Sequence, residues 1–350
     1  MGHFMRNFPY EISAPITIIF FTKENTTMEE VRFDPAEPFN FKPAEFVPFK
    51  DRLLCEKLRK MSGKELEKHE DWQHPDFNVK VLMNPHPILI ATLFARLKEA
   101  SEAGRPFSMI LGNPEPETYI PLAQLINYFK VDCSKVTIFA EDEWADEDGH
   151  IAPETYEAGF VHSMLKYFVY QIDEKLRMPL SQVIYPTDKN ILSYSDIIQE
   201  KSFGGADIIS TSPGWTGHVA FVDPIPEFMG DGDIETWLNQ PAKIVTLHPL
   251  TVAQNSLHGV FGQSGYVQAV PPRAATIGPL DVKRAKERIE VHALLTNCTF
   301  SSWQRMTSRL VTHGPVTPLV PSSMLQTMAT QVYISDEVAA PFACWEKVGY

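Results

Sequence analysis

Short apolar runs alternate with amphipathic stretches along most of this chain, and the alternation begins near Val79. The apolar runs have the length of buried strands, and most of them end at Gly, Pro or acidic residues that mark turns. The stretches between them repeat apolar residues every three or four positions, as amphipathic helices do. The pattern therefore predicts an α/β fold, a doubly wound and mostly parallel Rossmann-like sheet with right-handed crossovers. Predicted strands lie near residues 107, 136, 183, 206, 243, 274, 289 and 331, and predicted helices cover 86–104, 117–129, 154–172 and 300–312.

The first part of the chain has a different pattern. Residues 33–49 interleave Pro with Phe, which excludes helix interiors and central strands and favours an extended arm. Residues 50–70 are charged and carry Leu and Met at helical spacing, so a single amphipathic helix is expected there. We therefore predict an N-terminal extension, residues 1–78, that packs on one core domain, residues 79–350.

Composition limits the partners of the chain. A chain of 350 residues that is 44% hydrophobic can bury a large core, and its net charge of −13 argues against nucleic-acid binding. The longest apolar run, Ile16–Phe21, is too short to span a bilayer and lacks the layout of a signal peptide, so no membrane association and a cytoplasmic location are expected. Four scattered cysteines lack metal-ligand spacing and are expected to be thiols, with no metal site.

Two predicted strands end in residues that suit acid–base chemistry. The strand at 136–140 runs into Glu141, Asp142 and Glu143, and the strand at 206–209 runs into a Gly-rich loop that carries His218 and, five residues later, Asp223. Ligands of open α/β sheets bind at the carboxyl ends of the strands, so the imidazole and the carboxylates are expected to face one crevice. The alternative is a solvated acidic loop and a histidine that only stabilises a turn.

These segments resemble the glucosamine-6-phosphate deaminase/isomerase family. The family's Asp-Glu-Tyr motif is similar to residues 142–144, DEW, and its Gly-x-Asp-Gly-His-x-Ala-Phe-Asn-Glu-Pro motif is similar to residues 214–224, GWTGHVAFVDP. Further similarity follows in the family's order at PETY (153–156), NS (255–256), AATIG (274–278) and SSMLQ (322–326). The resemblance covers roughly residues 79–339 and implies the family's α/β fold.

The resemblance also implies roles for individual residues. Asp142 would move the proton between C2 and C1 of the sugar, and His218 would open the pyranose ring, oriented by Asp223 at the family's Glu position. Glu143 would raise the pKa of its neighbour Asp142 through like-charge repulsion. The substrate would contact Gly112 and Asn113 in the loop after the strand at 107, Thr216 and Gly217 in the loop before His218, and Lys243.

The cations and the loop that hold phosphate in the family are mostly replaced in this chain. On our alignment the replacements are Val245, Leu257 and Thr299, and the loop after the strand at 107 carries Glu115 and Glu117. The expected function is therefore an aldose–ketose isomerase or deaminase-like enzyme for an amino sugar or related small sugar, without a cofactor. Two alternatives stay open, a hydrolase like the 6-phosphogluconolactonases and a catalytically silent sugar-binding protein. A homo-oligomer is also left open.

Overall fold

The computed structural model describes residues 41–68, 70–112, 115–230, 233–294 and 301–344. The chain divides into two compact units, Met1–Ala44 and Glu45–Tyr350, and the description below concerns the larger one. The predicted division at residue 78 stays a prediction. None of the helices in the described part of the chain combines the length and apolarity that a membrane crossing requires.

The larger unit is built on a parallel sheet of seven strands in the order β1-β10-β9-β6-β2-β3-β5. A second sheet has three antiparallel strands in the order β4-β8-β7. The strands are β1 (Phe77–Leu82), β2 (Phe107–Leu111), β3 (Val136–Ala140), β4 (Asp142–Ala145), β5 (Val183–Ile184), β6 (Ile208–Thr211), β7 (Lys243–Thr246), β8 (Arg273–Thr276), β9 (Glu287–His292) and β10 (Thr330–Ser335).

The central strands of the seven-stranded sheet are buried on both faces. Ile110 and Ile209 belong to one hydrophobic cluster, whereas their neighbours Met109 and Ile208 belong to the other, because successive side chains of a strand point to opposite faces. This burial explains why these strands appear in the sequence as continuous apolar runs instead of alternating ones. The predicted α/β fold with a mostly parallel sheet is confirmed.

Twelve α-helices surround the sheets in the described residues. They are α1 (Arg52–Leu58), α2 (Gly63–Leu66), α3 (His86–Glu102), α4 (Pro116–Phe129), α5 (Phe160–Tyr167), α6 (Tyr194–Lys201), α7 (Pro226–Met229), α8 (Ile234–Leu238), α9 (Pro249–Asn255), α10 (Pro279–Arg284), α11 (Gln304–His313) and α12 (Asp336–Ala339).

Four predicted elements, two helices and two strands, differ from the structure. The single helix expected over residues 50–70 is broken into α1 and α2, because Ser62 and Glu65 form a capping box that starts a new helix. The long helix expected over 154–172 is shortened to α5, and turns precede it. The strands near 243 and 274 were expected in the main sheet, but they lie in the antiparallel sheet together with β4.

Arg309 of α11 joins distant parts of the chain. It is fully buried, burial lowers the pKa of its guanidinium to about 10, and the group remains a cation at neutral pH. Its N–H groups donate to backbone carbonyl oxygens at 2.6–3.1 Å, which belong to Met61, Arg305, Val338, Ala339 and Ala340. The residue therefore ties the segment between α1 and α2 and the end of α12 to α11.

We predict that Arg309→Met lowers the free energy of unfolding by about 3 kcal/mol or more, because it leaves several buried carbonyl oxygens without donors. Chemical denaturation measures the change. Arg96→Met is the control, since Arg96 is a half-exposed partner of Glu287 and such an ion pair contributes at most about 1 kcal/mol. Equal destabilisation in both variants would contradict the role assigned to Arg309.

Candidate active site

Three adjacent parallel strands deliver the predicted site residues to one edge of the main sheet. Gly112 follows β2, Asp142 follows β3 by two residues, and the loop that carries His218 follows β6. Gly112 is held against β6 at this edge, because its N–H donates to the Ser210 carbonyl oxygen at 3.2 Å. This is the edge at which open α/β sheets bind ligands. Asn113 lies outside the described residues.

The imidazole of His218 is held by a buried carboxylate. Nδ1 of His218 lies 2.9 Å from Oδ1 of Asp223, and both side chains are buried. The Asp223 carboxylate can only accept, so Nδ1 of His218 is the donor and Nε2 of a neutral ring is left as the acceptor. The pair is therefore arranged to take a proton at Nε2 while the carboxylate stabilises the imidazolium that forms.

Asp223 is surrounded by donors. Thr216 donates from its hydroxyl to Oδ1 at 2.6 Å, Thr251 donates to Oδ2 at 2.7 Å, and the backbone N–H of His248 donates to Oδ2 at 3.4 Å. Burial alone would raise the pKa of Asp223, but the charge of His218 and the hydrogen bonds from His218, Thr216 and Thr251 lower it below its usual range. Asp223 is thus a fixed anion behind the imidazole.

Two glycines shape the space around His218. A Cβ atom at Gly214 would lie only 1.9 Å from Nε2 of His218, so the missing side chain leaves room for the ring. Gly217 has φ of +79°, in the left-handed region that favours glycine. The Gly-rich sequence before His218 is therefore a physical requirement of the close packing.

The His218 loop is fixed to its surroundings at several points. Gln304 of α11 donates to the Ser212 hydroxyl and to the Pro213 carbonyl oxygen, at 3.0 and 2.9 Å. Ser322 donates from its N–H to the Gly217 carbonyl oxygen at 2.7 Å and from its hydroxyl to the His218 carbonyl oxygen at 3.2 Å. The SSMLQ segment thus supports the backbone of the loop.

Asp142 lies on β4 and not in a solvated loop. Alternate residues of a strand share a face, so Asp142 lies on the same face of β4 as Trp144. The indole of Trp144 packs 5.1 Å from the ring of Phe221, which in turn lies edge-on to His218 at 6.0 Å between ring centroids. Thr276 pairs with Asp142 across the sheet and accepts the Phe221 N–H at 3.0 Å. Two chains of contacts therefore join β4 to the His218 loop.

Three buried carboxyl groups follow one another at the end of β3. Burial raises the pKa of Glu141 to about 8, with a contribution from the charge of Glu290. The pKa of Asp142 is raised well above its usual value by burial, then by Glu141, then by Glu143. Like-charge repulsion on Asp142 was expected from Glu143, but burial and Glu141 are the larger causes. Burial and the neighbouring charges therefore favour the protonated form of Asp142 more than in an exposed carboxyl group.

Glu143 is also used to cap a helix. Its carboxylate accepts the backbone N–H groups of Phe160 at 3.3 Å and Val161 at 2.8 Å, which are the first two residues of α5. It also accepts the N–H of Trp144 on β4 at 2.8 Å. These hydrogen bonds oppose burial, which raises the pKa of Glu143 to about 7. Its catalytic role stays a prediction, and its observed contacts are those of a residue that positions α5 beside β4.

Lys243 contacts residues other than the His218–Asp223 pair. Its ammonium donates to Gln240 Oε1 at 2.7 Å and to the Glu227 carbonyl oxygen at 3.0 Å, and it lies 4.6 Å from the centroid of the Phe228 ring. These contacts occupy much of its hydrogen-bonding capacity. Substrate binding by Lys243 stays a prediction.

Sequence reasoning missed two residues of the site. Thr251 bonds Asp223 and lies 3.2 Å from Nδ1 of His218, but it is separated from both in sequence and no local pattern distinguishes it. Glu290 is fully buried on β9 and influences Glu141. A Glu near the start of the strand predicted at residue 289 was the available signal. Among the described residues, no cluster of His, Cys, Asp and Glu has the geometry of a metal site.

Comparisons with known proteins agree with this architecture. No family model matches the chain. Over 256 residues the chain is 24% identical to a glucosamine-6-phosphate deaminase of Alkaliphilus oremlandii, covering 71% of this chain and 92% of the relative. It is 27% identical over 234 residues to the enzyme of the same name from Rhodopirellula baltica, covering 65% of this chain and 80% of the relative.

Solved structures show the same fold. A monomeric glucosamine-6-phosphate deaminase matches with a TM-score of 0.58 at 18% identity, covering 75% of this chain and 98% of that one. A 6-phosphogluconolactonase from Trypanosoma cruzi matches with a TM-score of 0.52 at 13% identity, covering 79% of this chain and 100% of that one. The α/β fold is thus the one that these deaminases and lactonases share. The sequence similarity to glucosamine-6-phosphate deaminases supports the resemblance that the motifs predicted.

We predict that Gly214→Ala displaces the His218 ring, because the added methyl group would overlap it. Since both groups are buried, the variant should lose about 1–3 kcal/mol of stability, the usual cost of overpacking. Imidazole chemical shifts in NMR spectra and thermal unfolding measure the two effects. Gly259→Ala is the control, since a Cβ atom there meets no neighbouring atom within 4 Å. An unchanged His218 environment in Gly214→Ala would contradict the packing argument.

We also predict that Glu141→Gln changes the pH dependence of stability. The pKa of Glu141 is raised, so the folded protein binds a proton that the unfolded chain releases above about pH 4.5. Stability therefore falls as pH rises from about 4.5 to about 8, by at most about 1.4 kcal/mol per pH unit for one group.

Removing this titration should make the decline shallower and make the variant relatively more stable at pH 8 than at pH 5. Denaturant unfolding across this range measures the slope. Glu147→Gln, an exposed acid in the loop after β4, should leave the slope as it is in the wild type. Parallel curves for wild type and Glu141→Gln would show that Glu141 is not buried with a raised pKa.

Proposed function

We propose that this chain converts an amino sugar or a closely related sugar by acid–base proton transfer, as an aldose–ketose isomerase or deaminase does. The observation that carries the proposal is the buried His218–Asp223 pair, with Nε2 of the imidazole available, at the same sheet edge as Asp142. Such a reaction requires one group to open the ring and a second to move a proton between adjacent carbons. The similarity to glucosamine-6-phosphate deaminases supports this choice.

Each residue has a distinct proposed role. His218 takes the proton of the anomeric hydroxyl at Nε2 and returns it to the ring oxygen, so that the bond between C1 and the ring oxygen breaks and the pyranose opens. Asp223 stabilises the imidazolium formed in between. Asp142, as the carboxylate, removes the proton from C2 of the open chain, and the resulting carboxylic acid delivers that proton to C1. The pKa of Asp142 is raised by burial, by Glu141 and by Glu143, which supports a role for this carboxyl group in proton transfer.

We further propose that the preferred substrate lacks a phosphate or binds it by other means. Val245, at one of the family's cation positions, is fully buried in the hydrophobic core. Lys243 is held by Gln240 and Glu227. Glu115 stands beside the loop after β2, and burial together with the charge of Glu117 raises its pKa to about 7. A phosphate group would therefore find no free cation at Val245 or Lys243. Near Glu115 it would meet a partly ionised carboxyl group.

A lactone hydrolase is the second candidate, and one observation favours it. The His218–Asp223 pair is complete without Asp142, and an imidazole backed by a carboxylate is sufficient to activate a water molecule. In that case Asp142 would have no chemical role, so the two candidates differ in their dependence on Asp142. The small-molecule sugar partner is common to both.

We predict that Asp142→Asn lowers turnover of the sugar substrate about 100-fold or more, because the amide keeps the size of the side chain but cannot accept the proton. The measurement is exchange of the C2 proton with deuterated water, followed by NMR for a panel of free and phosphorylated amino sugars. Asp148→Asn, an exposed acid in the loop after β4, is the matched control and should exchange at the wild-type rate.

His218→Asn should slow a cyclic sugar more than an open-chain analogue, because only the cyclic form requires ring opening. Equal C2 exchange in wild type and Asp142→Asn would remove Asp142 from the mechanism. Hydrolysis of a sugar lactone that depends on His218 but not on Asp142 would favour the second candidate. Absence of exchange and of lactone hydrolysis across the panel would favour a silent sugar-binding protein.

A further inference from the structure

Thr251 of α9 contacts both members of the His218–Asp223 pair. Its hydroxyl oxygen lies 2.7 Å from Oδ2 of Asp223 and 3.2 Å from Nδ1 of His218. The side chain is fully buried, and its branched Cβ restricts the rotation that would move the hydroxyl. The need of a buried carboxylate for donors explains the contact with Asp223, but it does not explain the contact with the imidazole.

The hydrogen-bonding capacities of these three groups allow one arrangement of protons. A hydroxyl has a single proton, and Thr251 gives it to Oδ2 of Asp223, so the hydroxyl can only accept from His218. Oδ1 of Asp223 can also only accept, and it lies 2.9 Å from the same nitrogen. The Nδ1–H of His218 is therefore shared between two acceptors. A ring protonated at Nε2 instead would place its Nδ1 lone pair against Oδ1, and Thr251 could then serve only one of its two partners.

The same contacts hold the imidazole from two sides. A single hydrogen bond from Nδ1 to Oδ1 of Asp223 would still allow the ring to tilt about that bond. Oδ2 of the same carboxylate binds Thr251, and the Thr251 hydroxyl in turn faces Nδ1. The closed set of contacts therefore restricts the tilt of the ring and with it the direction of Nε2.

The backbone of α9 keeps the Thr251 hydroxyl in this place. The N–H of Thr251 donates to the His248 carbonyl oxygen at 2.8 Å, and its carbonyl oxygen accepts from Asn255 Nδ2 at 2.9 Å. Further along the helix, Gln254 Oε1 accepts the N–H of Trp215 in the His218 loop. Residues at this spacing lie on the same side of a helix, so α9 meets the loop through both side chains.

We propose that Thr251 is a positioning residue for His218, whose hydroxyl keeps the ring proton on Nδ1 and holds the ring so that Nε2 stays the free acceptor. The consequence for turnover rests on the function proposed above, whereas the proton arrangement does not. A hydroxyl with only a structural role would contribute to stability and leave the imidazole unchanged when it is removed.

The test observes the imidazole of His218 directly, by NMR of the full chain, with His218→Asn to assign its signals. The nitrogen chemical shifts of the neutral ring should show the proton on Nδ1, and this proton should exchange slowly with solvent because it is buried between two acceptors. Thr251→Val replaces the hydroxyl by a methyl group, and exchange should become about tenfold faster or more, the effect of one hydrogen bond to a charged group. Thr251→Ser keeps the hydroxyl and should resemble the wild type.

Turnover of the sugar substrate gives a second readout. Thr251→Val should lower kcat about tenfold and change KM by less than about twofold, because the hydroxyl acts on the imidazole and not on the bound sugar. Thr251→Ser should restore kcat to within about threefold of the wild type, because both hydrogen bonds of the hydroxyl are kept.

Thr312→Val is the control, since Thr312 is equally buried but its hydroxyl bonds Ser308 and His313. It should lose stability and leave the His218 signals and turnover as they are. A neutral wild-type ring protonated at Nε2, or an unchanged ring in Thr251→Val, would overturn the proposal. So would a Thr251→Ser variant that behaves as Thr251→Val does. The NMR measurements require no substrate, so they test Thr251 separately from the proposed reaction.

Discussion

The candidate site depends on one buried anion, the carboxylate of Asp223. A buried carboxylate is costly unless it is paired and hydrogen-bonded, and this one receives hydrogen bonds from His218, Thr216, Thr251 and the backbone of His248. These donors come from the His218 loop and from the start of α9, so satisfying the charge fixes the two segments against each other. The same bonds determine which nitrogen of His218 remains available for chemistry. The structural requirement and the proposed chemical role therefore coincide.

The antiparallel sheet explains how Asp142 is held near the edge of the main sheet that carries the His218 loop. The chain leaves β3, passes through Glu141 and enters β4, where pairing with β8 fixes Asp142 opposite Thr276. Burial then raises the pKa of both acids, and no cation in the part of the chain that the structure describes lowers either value. The raised pKa of these buried acids lowers the free energy of unfolding at alkaline pH. A loop with only a structural role would not need buried acids of this kind. Strained electrostatics of this kind are concentrated at functional sites in proteins.

Much of the fold could be predicted because its strands are strongly specified locally. β2 and β3 are continuous apolar runs bounded by turn residues, and α4 begins at a Pro, so their positions follow from short-range chemistry. The antiparallel sheet could not be assigned in the same way. β7 and β8 are four residues long and look like any short buried strand, and their pairing with β4 is decided by contacts between distant residues.

For the candidate site, the sequence by itself predicted His218, Asp223 and Asp142 and the Gly-rich loop, because motif spacing and turn chemistry are local properties. Only the tertiary structure decided which groups surround them. Thr251, Thr276 and Glu290 come from three other elements, and Glu143 turns away from its neighbour Asp142 to cap α5. The same holds for Trp215 and Trp303, whose rings stack although they are far apart in sequence. Burial and long-range hydrogen bonds set these environments, and neither is encoded in any single stretch of the chain.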